Sequence, residues 1–116
     1  MQNNKIQEFT DLKVWQSAHN LTLEIYQITK QFHRDELFRL VNQLCRAVSS
    51  IPANIAEGFG RNTTKEFIQF LYIARGSTKE TLYHLILAKD LKYINDKQFD
   101  KRKEQQQSLA NKKNCN

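Results

Sequence analysis

One proline and three glycines are all that 116 residues offer for turns. That scarcity argues against a loop-rich or all-β chain. Cysteine is as scarce: Cys45 and Cys115 cannot build a disulfide framework, and neither has a histidine at metal-ligand spacing. No apolar run approaches the roughly 18–20 residues that span a bilayer. The opening MQNNKIQEF lacks the basic and apolar regions of a secretion signal. The expectation is a cytoplasmic chain that makes no membrane contact. The length fits one domain, and a hydrophobic content of 40% is enough for a modest core.

What is present is helical periodicity. Val14, Ala18, Leu21, Ile25, Ile28 and Phe32 recur at steps of four and three residues, which predicts a helix over about 10–32. Trp15, His19, Thr22 and Tyr26 run beside that stripe, so the apolar face is too wide for a single partner helix. His19 reads as a hydrogen-bonded wall residue and Cys45 as a small core residue. A second stripe, Leu37, Leu40 with Val41, Leu44, Val48, Ile51 and Ile55, predicts a helix from about Asp35 towards Gly58. Asp35 and Glu36 suit the positive end of its dipole. A third, from Phe67 through Ala74 and Leu85 to Ala88, predicts a helix from Thr64 to about Ile94. Thr63 is its expected N-cap, with Glu66 reaching back. Ile68, Tyr72, Ile73, Ile86 and Tyr93 lie off that stripe. This helix is therefore central in a bundle or turns part of its surface towards another subunit.

Three long helices with short connections make antiparallel neighbours, an all-α up-and-down bundle. The expected organisation is an N-terminal extension over 1–9, the bundle over 10–96 and a basic polar tail over 97–116. In the tail only Phe99 and Leu109 are large and apolar. Asn95 with Gln98 can cap a short fourth helix. One or two turns followed by a frayed end are expected. The formal net charge is +6, and the tail carries most of it: residues 97–116 hold six Lys and Arg against two acids. A basic end of this kind is compatible with a polyanion contact, though solvated basic ends are common.

The segment SIPANIAEGFGR, Ser50 to Arg61, holds the proline and two of the glycines. It is no phosphate loop, because no strand precedes it and GxxxxGK is absent. GxSxG is also absent. Ile51, Ile55 and Phe59 carry the apolar stripe through Pro52, so the segment reads as a bent helix end. Pro52 leaves the carbonyl of Val48 without its helical donor. Gly58 and Gly60 are the expected stop, where a positive φ is often needed. The small residues Ala74, Gly76 and Ser77 are expected where helices two and three approach closely. Asn54, Glu57, Gly58, Arg75, Gly76 and Ser77 form the expected polar cluster. Within it Glu57 pairs with Arg61 or Arg75, or else the cluster faces a ligand or RNA.

The stretches LKVWQSAHNLTLEIYQIT, QLCRAVSSIPANIAEGFGR, EFIQFLYIARGS and LAKDLKYI resemble the four-helix-bundle proteins of the 23S rRNA intervening-sequence family, over roughly residues 10–96. The matching positions are Arg46, Ser50, Ile51, Pro52, Asn54, Ile55, Ala56, Glu57, Gly58, Arg61, Arg75, Gly76 and Ser77. Departures are His33 in place of proline, Arg39 in place of glycine, Leu82 in place of glutamate, and the tail. The resemblance implies a bacterial four-helix bundle assembled as a homopentamer. It also implies similarity to retroelement accessory proteins that bind nucleic acid and a reverse transcriptase. It carries over no catalytic residue, metal or cofactor.

Three functions follow as expectations. The first is a non-enzymatic, oligomeric nucleic-acid-binding protein. Its candidate contacts are Arg39, Arg46, Arg61, Lys65, Arg75 and Lys79 on the body, with Lys101, Arg102, Lys103, Lys112 and Lys113 in the tail. Such binding neutralises phosphates and is salt-sensitive. The competing structural reading solvates Arg39 and Lys79 and pairs Arg46, Arg61 and Arg75 within the fold. The second is a protein-interaction scaffold anchored by Trp15, Tyr72 and Tyr83. The third is an enzyme, for which no nucleophile, metal set or carboxylate pair stands out.

Overall fold

The structure, a computed structural model, describes residues 5–113, with side chains through Leu109. Cys115 lies outside the described residues, and so do the side chains of Lys112 and Lys113. Four α-helices run in order: α1 (Lys13–Thr29), α2 (Asn42–Phe59), α3 (Thr64–Asp90) and α4 (Asp96–Lys113). Each packs on the next in sequence and α4 returns beside α1, so the helices close an up-and-down bundle 48 × 25 × 18 Å in extent.

The predicted stripes supply the core. Val14, Ala18, Leu21, Ile25, Ile28 and Phe32 are buried, with Leu44, Val48, Ile51 and Ile55 from α2 and Ala74, Leu85 and Ala88 from α3. Leu37 departs from its expected inward place and is half exposed. The cause is the backbone: a 3-10 turn (Arg34–Glu36) leads into a π turn (Leu37–Val41) before α2 begins. A π turn inserts one extra residue, so positions ahead of it rotate off the helix stripe.

Pro52 sits inside α2, and its missing N–H leaves the Val48 carbonyl open. The replacement donor comes from α1. The Thr22 hydroxyl lies 3.2 Å from Val48 O and 2.9 Å from Ala18 O, and shares its proton between them. Thr22 is buried, so this hydroxyl satisfies a carbonyl that water does not reach.

Of the segment's two glycines, Gly60 ends α2 as expected though without a positive φ, and Gly58 has a different role from the expected one. Among the described residues no glycine has positive φ, and the Gly60 C-cap is in the right-handed region. Gly58 lies within α2, where a Cβ would sit 2.6 Å from Phe70 Cβ and 3.0 Å from Phe67 Cδ1. Hydrogen there is what lets α2 and α3 touch. Gly76 was expected at that seam, but a Cβ on it would meet nothing within 4 Å. Thr63 caps α3 as expected, accepting from Glu66 N at 3.2 Å. Among the described residues Glu66 makes no return bond.

The tail is the largest departure in architecture. It folds as an 18-residue helix rather than one or two turns. Asn95 and Gln98 form the reciprocal cap, Gln98 N to Asn95 Oδ1 at 2.7 Å and Asn95 N to Gln98 Oε1 at 2.9 Å. Phe99, Arg102, Gln106 and Leu109, spaced three, four and three apart, are all buried. Long polar side chains complete a stripe that apolar residues only begin, because their methylene stems bury as hydrocarbon does.

Candidate functional site

The expected polar cluster does not converge on one point. Asn54 Nδ2 donates to Ser50 O at 2.7 Å, within its own helix. Glu57 pairs with Arg61 at 2.8 Å rather than with Arg75, and both partners are about half exposed. Arg61 also lies over the Phe70 ring, 4.8 Å from its centroid. These contacts close the end of the α2–α3 hairpin. Ser77 does reach α2: the Ser50 hydroxyl donates to Ser77 Oγ at 2.6 Å. The arrangement is a structural fastening. Glu57 faces solvent and a guanidinium, not a crowded pocket.

The candidate cations divide in three ways. Arg46, Lys65, Arg75, Lys79, Lys101 and Lys103 are exposed and have no ion-pair partner among the described residues. Arg39 and Arg61 are exposed but already paired, Arg39 with Glu36 at 3.2 Å. Arg102 does not belong on a nucleic-acid surface. It is buried, with Nη1 3.2 Å from Glu24 Oε1. The aliphatic register of α4 turns it inward against α1. Gln105 Nε2 donates to Glu24 at 3.1 Å beside it.

Trp15 and His19 also turn out to be inward residues. The two rings stack with centroids 4.9 Å apart, and Phe9 meets Trp15 edge-on at 5.2 Å. His19 is thus a half-buried stacking partner rather than the hydrogen-bonded wall residue expected. Cys45 is half-buried against Thr29, and burial pushes its thiol up from the usual range.

Two surfaces remain uncovered. On α3, Ile68, Tyr72, Lys79, Tyr83 and Ile86 share one outward face, with Ile73 and Gly76 alongside; the apolar members are all more than a third exposed. The helix is therefore peripheral, not central. The second surface, at the α1–α2 corner, holds one sequence candidate, Arg39, but its groove and exposed aromatic were not among the candidates. Phe38 projects from the π turn at 86% exposure. Beside it runs a groove of about 280 Å³ lined by Thr29, Lys30, Phe32, His33, Arg34, Leu37 and Val41. The corner is anchored from beneath. Glu36 is buried and accepts from Arg39 and from the Tyr93 hydroxyl, the latter at 2.9 Å, while Tyr93 stacks on Phe32. That carboxylate raises the Tyr93 phenol above its ordinary pKa, since the bond it accepts exists only with the proton in place. A π turn joined to an exposed aromatic was the missing signal, and periodicity alone assigned Leu37 to the core.

Among the described residues, no group of three His, Cys, Asp or Glu is placed to hold a metal ion. No described helix is long and apolar enough to cross a membrane. The fold and its surfaces define a small helical-bundle protein whose exposed chemistry is cationic, aromatic and aliphatic. The chain belongs to the 23S rRNA-intervening sequence protein family, whose model matches residues 10–114. Among solved structures it is similar to a protein of unknown function from the S23 ribosomal protein family of Bacteroides thetaiotaomicron. The two share 25% identity with a TM-score of 0.73, over 83% of this chain and 90% of that one. No curated protein matches it.

Proposed function

We propose that this is a non-enzymatic, cytoplasmic protein that assembles into a homo-oligomer, a pentamer on the family resemblance, and binds RNA through its basic surface. The observation that carries the proposal is the uncovered face of α3. Ile68, Tyr72, Ile73, Tyr83 and Ile86 are too many neighbouring exposed apolar side chains for a helix that faces only water. Gly76 sits open among them, at a helix position where Ala is favoured by about 1 kcal/mol. A sister subunit approaching closely accounts for both.

Assembly brings the charge together. Arg46 on α2 and Lys101 and Lys103 on α4 lie off the α3 face, exposed and without ion-pair partners among the described residues. A few cations per chain become a broad positive surface when copies gather. The descriptions of the family and of its solved relative both refer to ribosomal RNA or ribosomal proteins, which favours RNA as the polyanion. Glu57, the carboxylate nearest to a catalytic candidate, is engaged by Arg61, and the reading gives no side chain a catalytic step.

Light scattering with and without a ribosomal RNA fragment tests both halves. An oligomeric mass and a log affinity that falls linearly with log salt are expected. A monomer, or an affinity flat against salt, overturns the reading. An oligomer indifferent to RNA leaves the scaffold function that Tyr72 and Tyr83 favour. Gly76→Ala sharpens the first half, with a fold at least as stable and a reduced oligomer mass expected.

A further inference from the structure

We propose that the α1–α2 corner seats single-stranded RNA, one nucleotide in the groove and a neighbouring base stacked on Phe38. The inference rests on the RNA-binding reading above and gives it a location that, apart from Arg39 already paired with Glu36, the candidate cations do not share.

Three features of the corner converge. The groove has an apolar floor of Phe32, Leu37 and Val41 and a rim of Lys30, His33 and Arg34, with no carboxylate among its lining residues. An apolar floor under a cationic rim matches a nucleotide, whose base is flat and hydrophobic and whose phosphate is anionic. Its 280 Å³ has room for a base and its sugar, not for a paired strand. Phe38 supplies the second platform. At 86% exposure it packs on almost nothing in its own chain. The π turn carries it, beside a Leu37 that the inserted residue rotates off the buried stripe.

Of the corner's two acids, Glu36 is occupied and Asp35 is open to solvent. Glu36 is buried under Arg39 and Tyr93. Asp35 is exposed, and its carboxylate lies 3.4 Å from His33 Nδ1. His33 Nδ1 also accepts from Asp35 N at 3.1 Å, so in the neutral ring the proton is on Nε2, the other nitrogen. Lys30 and Arg34 have no ion-pair partner among the described residues. A phosphate therefore meets two unspent cations and an imidazole donor, against the one exposed carboxylate of Asp35. A duplex keeps its bases stacked inside and offers Phe38 nothing, which makes unpaired RNA the occupant.

Fluorescence anisotropy on the full chain tests this with a labelled oligouridylate, single-stranded or annealed to its complement. Phe38→Ala is expected to weaken single-strand binding about ten-fold and to leave duplex binding within about two-fold. Arg34→Gln is expected to reduce the salt slope for the single strand by about one. Phe38→Trp is expected to keep the affinity and to show fluorescence quenching on RNA addition that the wild type lacks. Phe38 touches little, so circular dichroism is expected to be unchanged in both Phe38 variants. If Phe38→Ala and Arg34→Gln bind the single strand as the wild type does while Lys101→Gln weakens binding, the corner is refuted and the general RNA reading stands. If no variant and no wild-type chain binds either RNA, both fall. If Phe38→Ala lowers the oligomer mass without changing RNA affinity, the corner contacts another copy and the proposal is overturned.

Discussion

The α2–α3 seam and the α4 seam hold the same bundle together by opposite means. Where α2 meets α3 the contact is steric: a glycine against Phe67 and Phe70, Ala74 buried, and two serine hydroxyls 2.6 Å apart. Where α4 meets α1 and α3 the contact is mixed. Phe99 and Leu109 bury at the two ends, and Arg102 and Gln106 bury between them. Nε and Nη1 of Arg102 and Nε2 of Gln106 have no hydrogen-bond partner among the described residues. The Arg102–Glu24 contact is close enough for an ion pair but lacks hydrogen-bond alignment. Steric seams specify one register and tolerate little. Polar seams with unmet donors are weaker and more easily opened. The α2–α3 hairpin is thus the rigid half of the molecule, and α4 is the helix expected to exchange its amides first.

Gly58→Ala attacks the rigid half and carries the largest expected effect. The new methyl lies 2.6 Å from Phe70 Cβ, which moves only with its backbone. A loss of about 3 kcal/mol in denaturant unfolding is expected. A loss under half of that would show the seam to be more compliant than its geometry.

How much of this contrast was legible in the sequence follows from what each seam is made of. The three long stripes gave the bundle, because apolar residues at helical spacing have few other uses. Gly58 was singled out, but as a stop signal. Sequence carries no distance, and a glycine that ends a helix looks like one that admits a neighbour. Gly76 was misplaced for the same reason. In α4 the error was of another kind: counting only Phe99 and Leu109 as apolar ignored the methylenes of Arg102 and Gln106. The π turn that displaces Leu37 was not readable from periodicity, since one inserted residue leaves the downstream stripe intact.

Glu24→Ala probes the polar half. It removes the ion-pair partner of a buried guanidinium, so a loss of about 2 kcal/mol is expected, reduced from the usual cost because the Glu24 carboxylate is itself partly exposed. Combining it with Arg102→Met removes the stranded charge and is expected to recover most of that loss. Hydrogen exchange locates the effect: α4 amides accelerate while those of α2 and α3 hold. Uniform acceleration would mean that α4 does not open separately.

A smaller effect is expected at Thr22, which ties α1 to the rigid half by covering the carbonyl that Pro52 leaves open. Thr22→Val leaves Val48 O buried and unpaired, for an expected loss of about 1–2 kcal/mol. In a Pro52→Ala background residue 52 regains an N–H for that carbonyl, so the same substitution is expected to cost about 1 kcal/mol less. Equal losses in both backgrounds would show that the hydroxyl serves Ala18 O alone.

The smallest expected effect, and the only gain, lies in the turn that delivers α4. Lys92 has φ 71°, the one non-glycine residue with positive φ among those described. It ends α3 in a Schellman arrangement, with Tyr93 N donating to Ala88 O and Lys92 N to Lys89 O, each at 2.9 Å. Glycine is the usual occupant of such a site, since a Cβ crowds the neighbouring carbonyl there. The lysine side chain is exposed and has no ion-pair partner among the described residues, so little offsets that crowding. Lys92→Gly is therefore expected to stabilise the chain by about 0.5–1 kcal/mol, the relief at the turn slightly exceeding the added freedom of the unfolded state. If α4 is the loosely held helix, the gain appears mainly as slower exchange in α4, because the turn fixes where that helix starts. A gain spread evenly over all four helices would place α4 within the same cooperative unit as the α2–α3 hairpin.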